Sequence, residues 1–231
     1  MRRTKNILIL FTLLISTIIL GQNDKMKYNH NSIDQDFIQS EKVSSLFSNK
    51  IDEAKILIVA EIENDSIFSI YLKNNKTEVL KLSAQDSHLQ LIQEAKDTNG
   101  NWKPIEYWRF STCGNSYRSE LIEPGKIIKT ESRKYSGKFK TEVRFKLLQN
   151  NEVFYSNFLI CNINQSLFKI SDELRNDSSY RNVLKVSDEA LAEKVVFLEP
   201  NSFKEFSEKN KKWMAWVTEQ NRKRNEKENK K

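Results

Sequence analysis

From Ile56 the chain alternates: Ile56, Ile58, Ala60 and Ile62 fall on one side of an extended segment while Glu61 and Glu63 fall on the other, the period of two of a half-buried strand. Runs of the same kind recur every ten or so residues, at Ile67 to Leu72, Val79 to Ser83, Leu89 to Glu94, Ile105 to Phe110, Tyr117 to Ile122, Ile127 to Glu131, Phe139 to Leu148 and Val153 to Ile163. Turn-forming residues separate them: Asn74-Asn75, Asp97 to Gly100, Pro124-Gly125, Ser136-Gly137 and Asn150-Asn151. Many short strands with regular turns predict a mainly β domain, an antiparallel sandwich over residues 51–168. Thr141, Val143, Phe145 and Leu147 alternate with Glu142, Arg144 and Lys146, one dry face and one wet. Across Asn150-Asn151 this strand pairs with the next as a hairpin.

Before and after that region the period changes. Residues 22–50 are polar, with Ile33, Phe37, Val43, Leu46 and Phe47 scattered among them, and read as a loose arm with at most one short helix. Residues 169–231 read as a helical appendage. Ser187-Asp188-Glu189 opens a helix to about Phe197, and Ser202-Phe203-Lys204-Glu205 forms a capping box for a longer one. In that second helix Phe203, Phe206, Trp213 and Val217, with Trp216 beside them, fall on one stripe, expected to dock on the β domain, with membrane contact the alternative. Beyond Thr218 the chain is almost wholly polar and is expected to fray.

The run Leu121-Ile122-Glu123-Pro124-Gly125, a strand, and then Tyr135-Ser136-Gly137-Lys138-Phe139 before an alternating strand resembles the closing hairpin of bacterial immunoglobulin-like domains. It is also similar to secreted proteins of Bacteroidetes-type genomes. The resemblance spans residues 56–165 and implies an immunoglobulin-like antiparallel sandwich that binds or scaffolds, a fold-level analogy. Trp102 and Trp108 precede both cysteines, unlike the immunoglobulin order in which a tryptophan lies between them.

Charge and the N-terminus set the compartment. Arg2, Arg3 and Lys5 precede the uncharged stretch Ile7 to Leu20 and then Gly21-Gln22, the grammar of a signal peptide at residues 1–21, cleaved after Gly21. The apolar stretch is shorter than the roughly 20 residues a spanning helix needs, so the expected location is periplasmic or extracellular. The formal charge is +7. Removing the leader's three positives and the tail's net five, from ten Lys and Arg against five Glu over residues 204–231, leaves the body near −1. Phosphate binding needs a clustered basic footprint, so nucleic acid is not an expected partner of the body. Two cysteines, Cys113 and Cys161, in an exported chain predict a disulfide, worth roughly 4 kcal/mol of unfolded-state entropy for a loop of about 48 residues.

No nucleophile elbow, Gly-rich phosphate loop, paired-histidine zinc motif or Cys-x-x-Cys occurs in the sequence. The two histidines, His30 and His88, would have to carry any histidine triad or metal site, and no metal or cofactor is expected. The densest unusual segment runs from Trp102 to Tyr117. Trp102, Tyr107, Trp108 and Tyr117 offer rings for stacking, while Arg109, Asn115 and Arg118 offer forked donors, the equipment of a ligand surface for a protein or glycan. The competing reading is that these rings are core. The expected function is an exported, non-catalytic binding or structural module of the cell envelope. The alternative is a carboxylate-dependent hydrolase with a cleft beside Trp102 to Tyr117.

Overall fold

The computed structural model describes residues 25–28, 31–48 and 54–229. The signal-peptide segment and His30 lie outside the described residues. The arm supplies β1 (Lys27–Tyr28) and α1 (Glu41–Ser45). The β region then runs β2 (Ile56–Ile62), β3 (Ile67–Asn74), β4 (Leu80–Gln85), β5 (His88–Leu89), β6 (Leu91–Lys96), β7 (Trp102–Pro104), β8 (Glu106–Tyr107), β9 (Tyr117–Ile122), β10 (Ile127–Arg133), β11 (Phe139–Gln149), β12 (Glu152–Tyr155) and β13 (Leu159–Ile163). Four helices follow: α2 (Asp172–Asn176), α3 (Ser178–Leu184), α4 (Glu189–Val196) and α5 (Ser202–Glu228). The chain is mainly β, with several antiparallel sheets and a C-terminal helix.

One sheet has the order β10-β3-β2, a second β12-β11-β6-β7 with β13 pairing the first half of β11, and a third β5-β4-β9. These sheets share one hydrophobic cluster that includes Ile58, Ile70, Leu82, Leu91, Phe145 and Ile163. Phe68 of β3 meets Phe145 of β11 edge to face, with centroids 5.4 Å apart. The predicted hairpin forms: Gln149 pairs Glu152, and Asn150 and Asn151 have φ of 49° and 67°, the two left-handed residues of a type I′ turn. Asp86 and Ser87, at φ 49° and 65°, close the β4–β5 hairpin in the same way.

Two further layers were not legible as layers. The outer face of β2 and β3 is covered by the arm, where Val43 and Phe47 pack on Leu57, Val59 and Tyr71. The arm is therefore packed instead of loose; Met26 is 1% exposed and Asn31 is fully buried. The cause is in β2 itself, whose first five residues are all buried, so its second apolar face also needs cover. The outer face of β11 differs in the same sense. Lys146, expected on a wet face, is 3% exposed because α4 and the turn after it lie above it. Tyr107, Trp108, Phe110 and Leu148 form a second core with Tyr180, Val196 and other helical residues.

Helix α5 departs most from expectation. Its buried residues are Ser202 and Phe206 alone among the described residues, with Phe110 5.5 and 5.4 Å from Phe203 and Phe206. Phe203 remains 44% and Trp216 60% exposed, while Trp213 and Val217 are half-buried. Apolar docking thus ends at Phe206, and one polar contact follows, Lys209 Nζ donating to Ser187 Oγ at 2.9 Å, because α4 is only eight residues long and offers little surface further out. The expected capping box is absent: Asn201 is the N-cap in a left-handed conformation without a side-chain cap bond, and the Ser202 hydroxyl donates to Glu199 O at 2.6 Å. The helix does not fray at Thr218 but continues to Glu228, supported by Arg222 bonded to both Glu219 and Glu226.

Candidate functional site

The segment from Trp102 to Tyr117 does not form one surface. Its run of strand pattern breaks into β7 and β8, and its residues go three ways. Tyr107 and Trp108 are 0% and 3% exposed, so they are core and not ligand platform. Trp102 stays half-exposed on the second sheet's outer face, where Arg144 stacks on it at 4.2 Å and on Tyr155 at 3.7 Å. Asn115, Tyr117 and Arg118 lie elsewhere, at the start of β9. The Tyr117 hydroxyl donates to Ser111 O at 2.8 Å, and burial pushes that phenol up to about 12. His88 also serves local structure, with Nε2 3.0 Å from the Ser32 hydroxyl and Nδ1 2.9 Å from Asp86 O.

The expected disulfide is absent as well. Cys113 is exposed and Cys161 buried, both as free thiols. Cys161 sits opposite Thr141 in the β11–β13 ladder with its side chain in the first core, whereas Cys113 precedes a 3-10 turn at Gly114–Ser116 that leads into β9. An even cysteine count carries no information on which face of which element each thiol occupies. Burial raises the Cys161 thiol, with Lys134 opposing.

Chemistry gathers instead around Glu106, the residue beside those singled out. β1 runs parallel to β8 and places Lys27 opposite Glu106 and Tyr28 opposite Tyr107. Glu106 is 2% exposed. One of its oxygens accepts from Gln93 Nε2 at 2.8 Å and from the Tyr135 hydroxyl at 3.0 Å, and the other accepts from Gln93 N at 3.1 Å. Among the described residues no Lys or Arg nitrogen makes an ion pair with it. Burial therefore pushes its carboxyl up to about 7, against the pull of those hydrogen bonds and of the Arg133 charge. Gln93 Oε1, next to it, is buried with no hydrogen-bond partner among the described residues.

Glu106 faces a cavity of about 290 Å³ that Lys27, Tyr28, Arg133, Tyr135 and Glu173 also line. They come from three parts of the fold: Lys27 and Tyr28 from the arm, Arg133 and Tyr135 from the end of β10 with its following turn, and Glu173 from α2. Caps hold these parts together. Ser171 accepts from Leu174 N at 3.1 Å to start α2 and donates to Met26 O at 3.1 Å, joining helix to arm. Asp177 accepts from Ser179 N at 2.8 Å to start α3, and its fully buried carboxylate takes Arg109 Nε at 2.5 Å. The Arg109 guanidinium in turn lies 4.2 Å above the Tyr28 ring. Burial raises the Tyr107 phenol, with Asp177 and Glu173 adding to the shift.

None of the predicted ligand residues lines the cavity; Tyr107 and Arg109 touch Tyr28, which does. The cavity residues Lys27, Tyr28, Arg133, Tyr135 and Glu173 lie up to 146 positions apart in the chain, and no local motif links them. Two signals were available: the continuous apolar run of β2, which required the arm to pack, and Ser171 and Asp177, each a cap residue before an acidic or hydroxyl-bearing first turn. Among the described residues no group of three or more His, Cys, Asp or Glu is placed to hold a metal ion. No protein-family model matches the chain, and no curated protein matches it.

Proposed function

We propose that this chain is an exported, non-catalytic binding module of the cell envelope, an immunoglobulin-like sandwich whose recognition site is the Glu106 cavity. Antiparallel sheets around a shared core support the fold reading. The observation that carries the site is a buried carboxyl with no ion pair among the described residues, opening on a cavity closed by three separate parts of the chain. An ionised Glu106 would accept from an amine or a hydroxyl, and the cavity volume suits one end group of a larger molecule, a peptide terminus or one sugar residue. A protein or glycan of the envelope is the corresponding partner class. The test is calorimetric titration of the mature protein with soluble peptidoglycan fragments, amino sugars and short peptides with free amino termini. Binding by one class that weakens at least about tenfold in Glu106→Gln, with the fold retained, supports the reading. No heat with any of them at millimolar concentration overturns it.

A hydrolase is the second reading, on one observation: Glu106 and Glu173 line the same cavity, and a carboxyl titrating near 7 can act as a general acid. Turnover of chromogenic glycosides that Glu106→Gln abolishes would replace the binding reading with this one. Export itself is tested by N-terminal sequencing of the protein from the envelope fraction, with Gln22 expected first.

A further inference from the structure

We propose that the distal part of α5, from Lys209 to Glu228, docks on an anionic lipid surface. These 20 residues span roughly 30 Å, and none of them is buried. The last α5 residue in any core is Phe206. Beyond the bond of Lys209 to Ser187, Trp216 and Met214 are 60% and 49% exposed, and Trp213 and Val217, both half-buried, stand one helical step away. Single exposed apolar residues are ordinary. Two indoles and a thioether on one exposed helix are not, and no helix of the described residues is long and apolar enough to cross a membrane.

Charge decides the occupant. Residues 209–231 carry nine Lys and Arg against three Glu. Lys212, Lys223 and Lys227 stand four before, seven after and eleven after Trp216, spacings that put all three on its side of the helix. Each is exposed. Of the acids, Glu226 pairs with Arg222 on the opposite flank and Glu219 is shared between Arg222 and Lys223, so one acid offsets the three lysines of this row only in part. Glu219 is held down to about 2 by Arg222 first and Lys223 after it. A side of a helix that carries three exposed lysines around an exposed indole presents positive charge to anionic headgroups, with the ring available to the headgroup layer. A helix paired with a second copy of itself would instead bring these like charges together.

The experiment uses the full mature chain and two vesicle types, phosphatidylcholine alone and phosphatidylcholine with phosphatidylglycerol. Cosedimentation with the anionic vesicles only, a blue shift of tryptophan emission, and release by salt are expected. The double variant Lys212→Glu with Lys223→Glu should weaken binding at least about tenfold, and Trp216→Ala should weaken it and reduce the blue shift. Both sites are exposed, so unchanged circular dichroism and melting keep the comparison clean. Equal binding to neutral vesicles, absence of binding to either, or a dimer by light scattering that Trp216→Ala dissolves would each overturn the proposal.

Discussion

Glu94 and Glu106 are both buried carboxylates, 6% and 2% exposed, yet the fold treats them differently. Glu94 on β6 faces Arg144 across the ladder and receives its Nε and Nη2 at 2.9 and 2.7 Å. Lys146, also buried, stands 3.7 Å away and is tied to Glu199 at 2.6 Å and to Phe197 O at 3.1 Å. Glu106, on the strand whose neighbourhood the arm closes, receives only neutral donors among the described residues. Two carboxylates in one protein thus meet the cost of burial by opposite routes: one is matched by cations, the other holds its proton into the neutral range. The first arrangement locks the helical layer to the sheet. The second leaves a group able to change state at a cavity.

That contrast can be broken by substitution. Glu94→Gln should cost the most, about 3 to 5 kcal/mol, because it leaves Arg144 and the buried Lys146 short of their shared counter-charge; chemical denaturation at neutral pH measures it. Glu106→Gln should act through pH. Its folded value, about 7, lies above the ordinary 4.5, so the folded state holds the proton more tightly. Its stabilising contribution is complete below about 4.5 and is lost as pH rises toward and through 7. The native protein should therefore lose up to about 3 kcal/mol across that window. The variant should show a flatter profile, offset by about 1 kcal/mol for a weakened hydrogen bond. A native profile without that decline would show that water reaches Glu106 and would erase the contrast.

Arg144→Ala comes next, at about 1 to 2 kcal/mol, since it removes the pair and the stacking on Trp102 and Tyr155 while Lys146 still faces Glu94. Glu199→Gln should be the smallest, under about 1 kcal/mol, because the Glu199 side chain is 49% exposed and Lys146 keeps both Glu94 and the Phe197 carbonyl. Should Glu199→Gln match Glu94→Gln in cost, the anchor of Lys146 would lie in the helical layer and not in the sheet.

Local pattern explains why so much of the β region was legible. Alternation and turn chemistry are short-range properties, so β9 was found at Tyr117–Ile122 without error and the Asn150-Asn151 hairpin in register. The limits appear where one residue must satisfy two layers. Lys146 fits an alternating strand whether or not a helix lies above it, and only the position of α4 made it buried. Phe203, Phe206, Trp213 and Trp216 make a stripe at any length, but the docked length is set by the body beneath, which ends near Phe206.

By itself, then, the sequence determined a mainly β architecture, the Asn150-Asn151 hairpin, the start of α4 at Asp188, and the concentration of unusual residues near Trp102 to Tyr117. Those follow from periodicity and from φ preferences acting within a few residues. The tertiary structure alone decided that the arm is a layer, that the two thiols stay apart, that Tyr107 and Trp108 are core, and that Glu106 faces a cavity with Lys27, Arg133 and Glu173. Each of these depends on which surfaces meet across tens of residues, and burial of a charge or a ring is a property of the meeting surfaces and not of either segment.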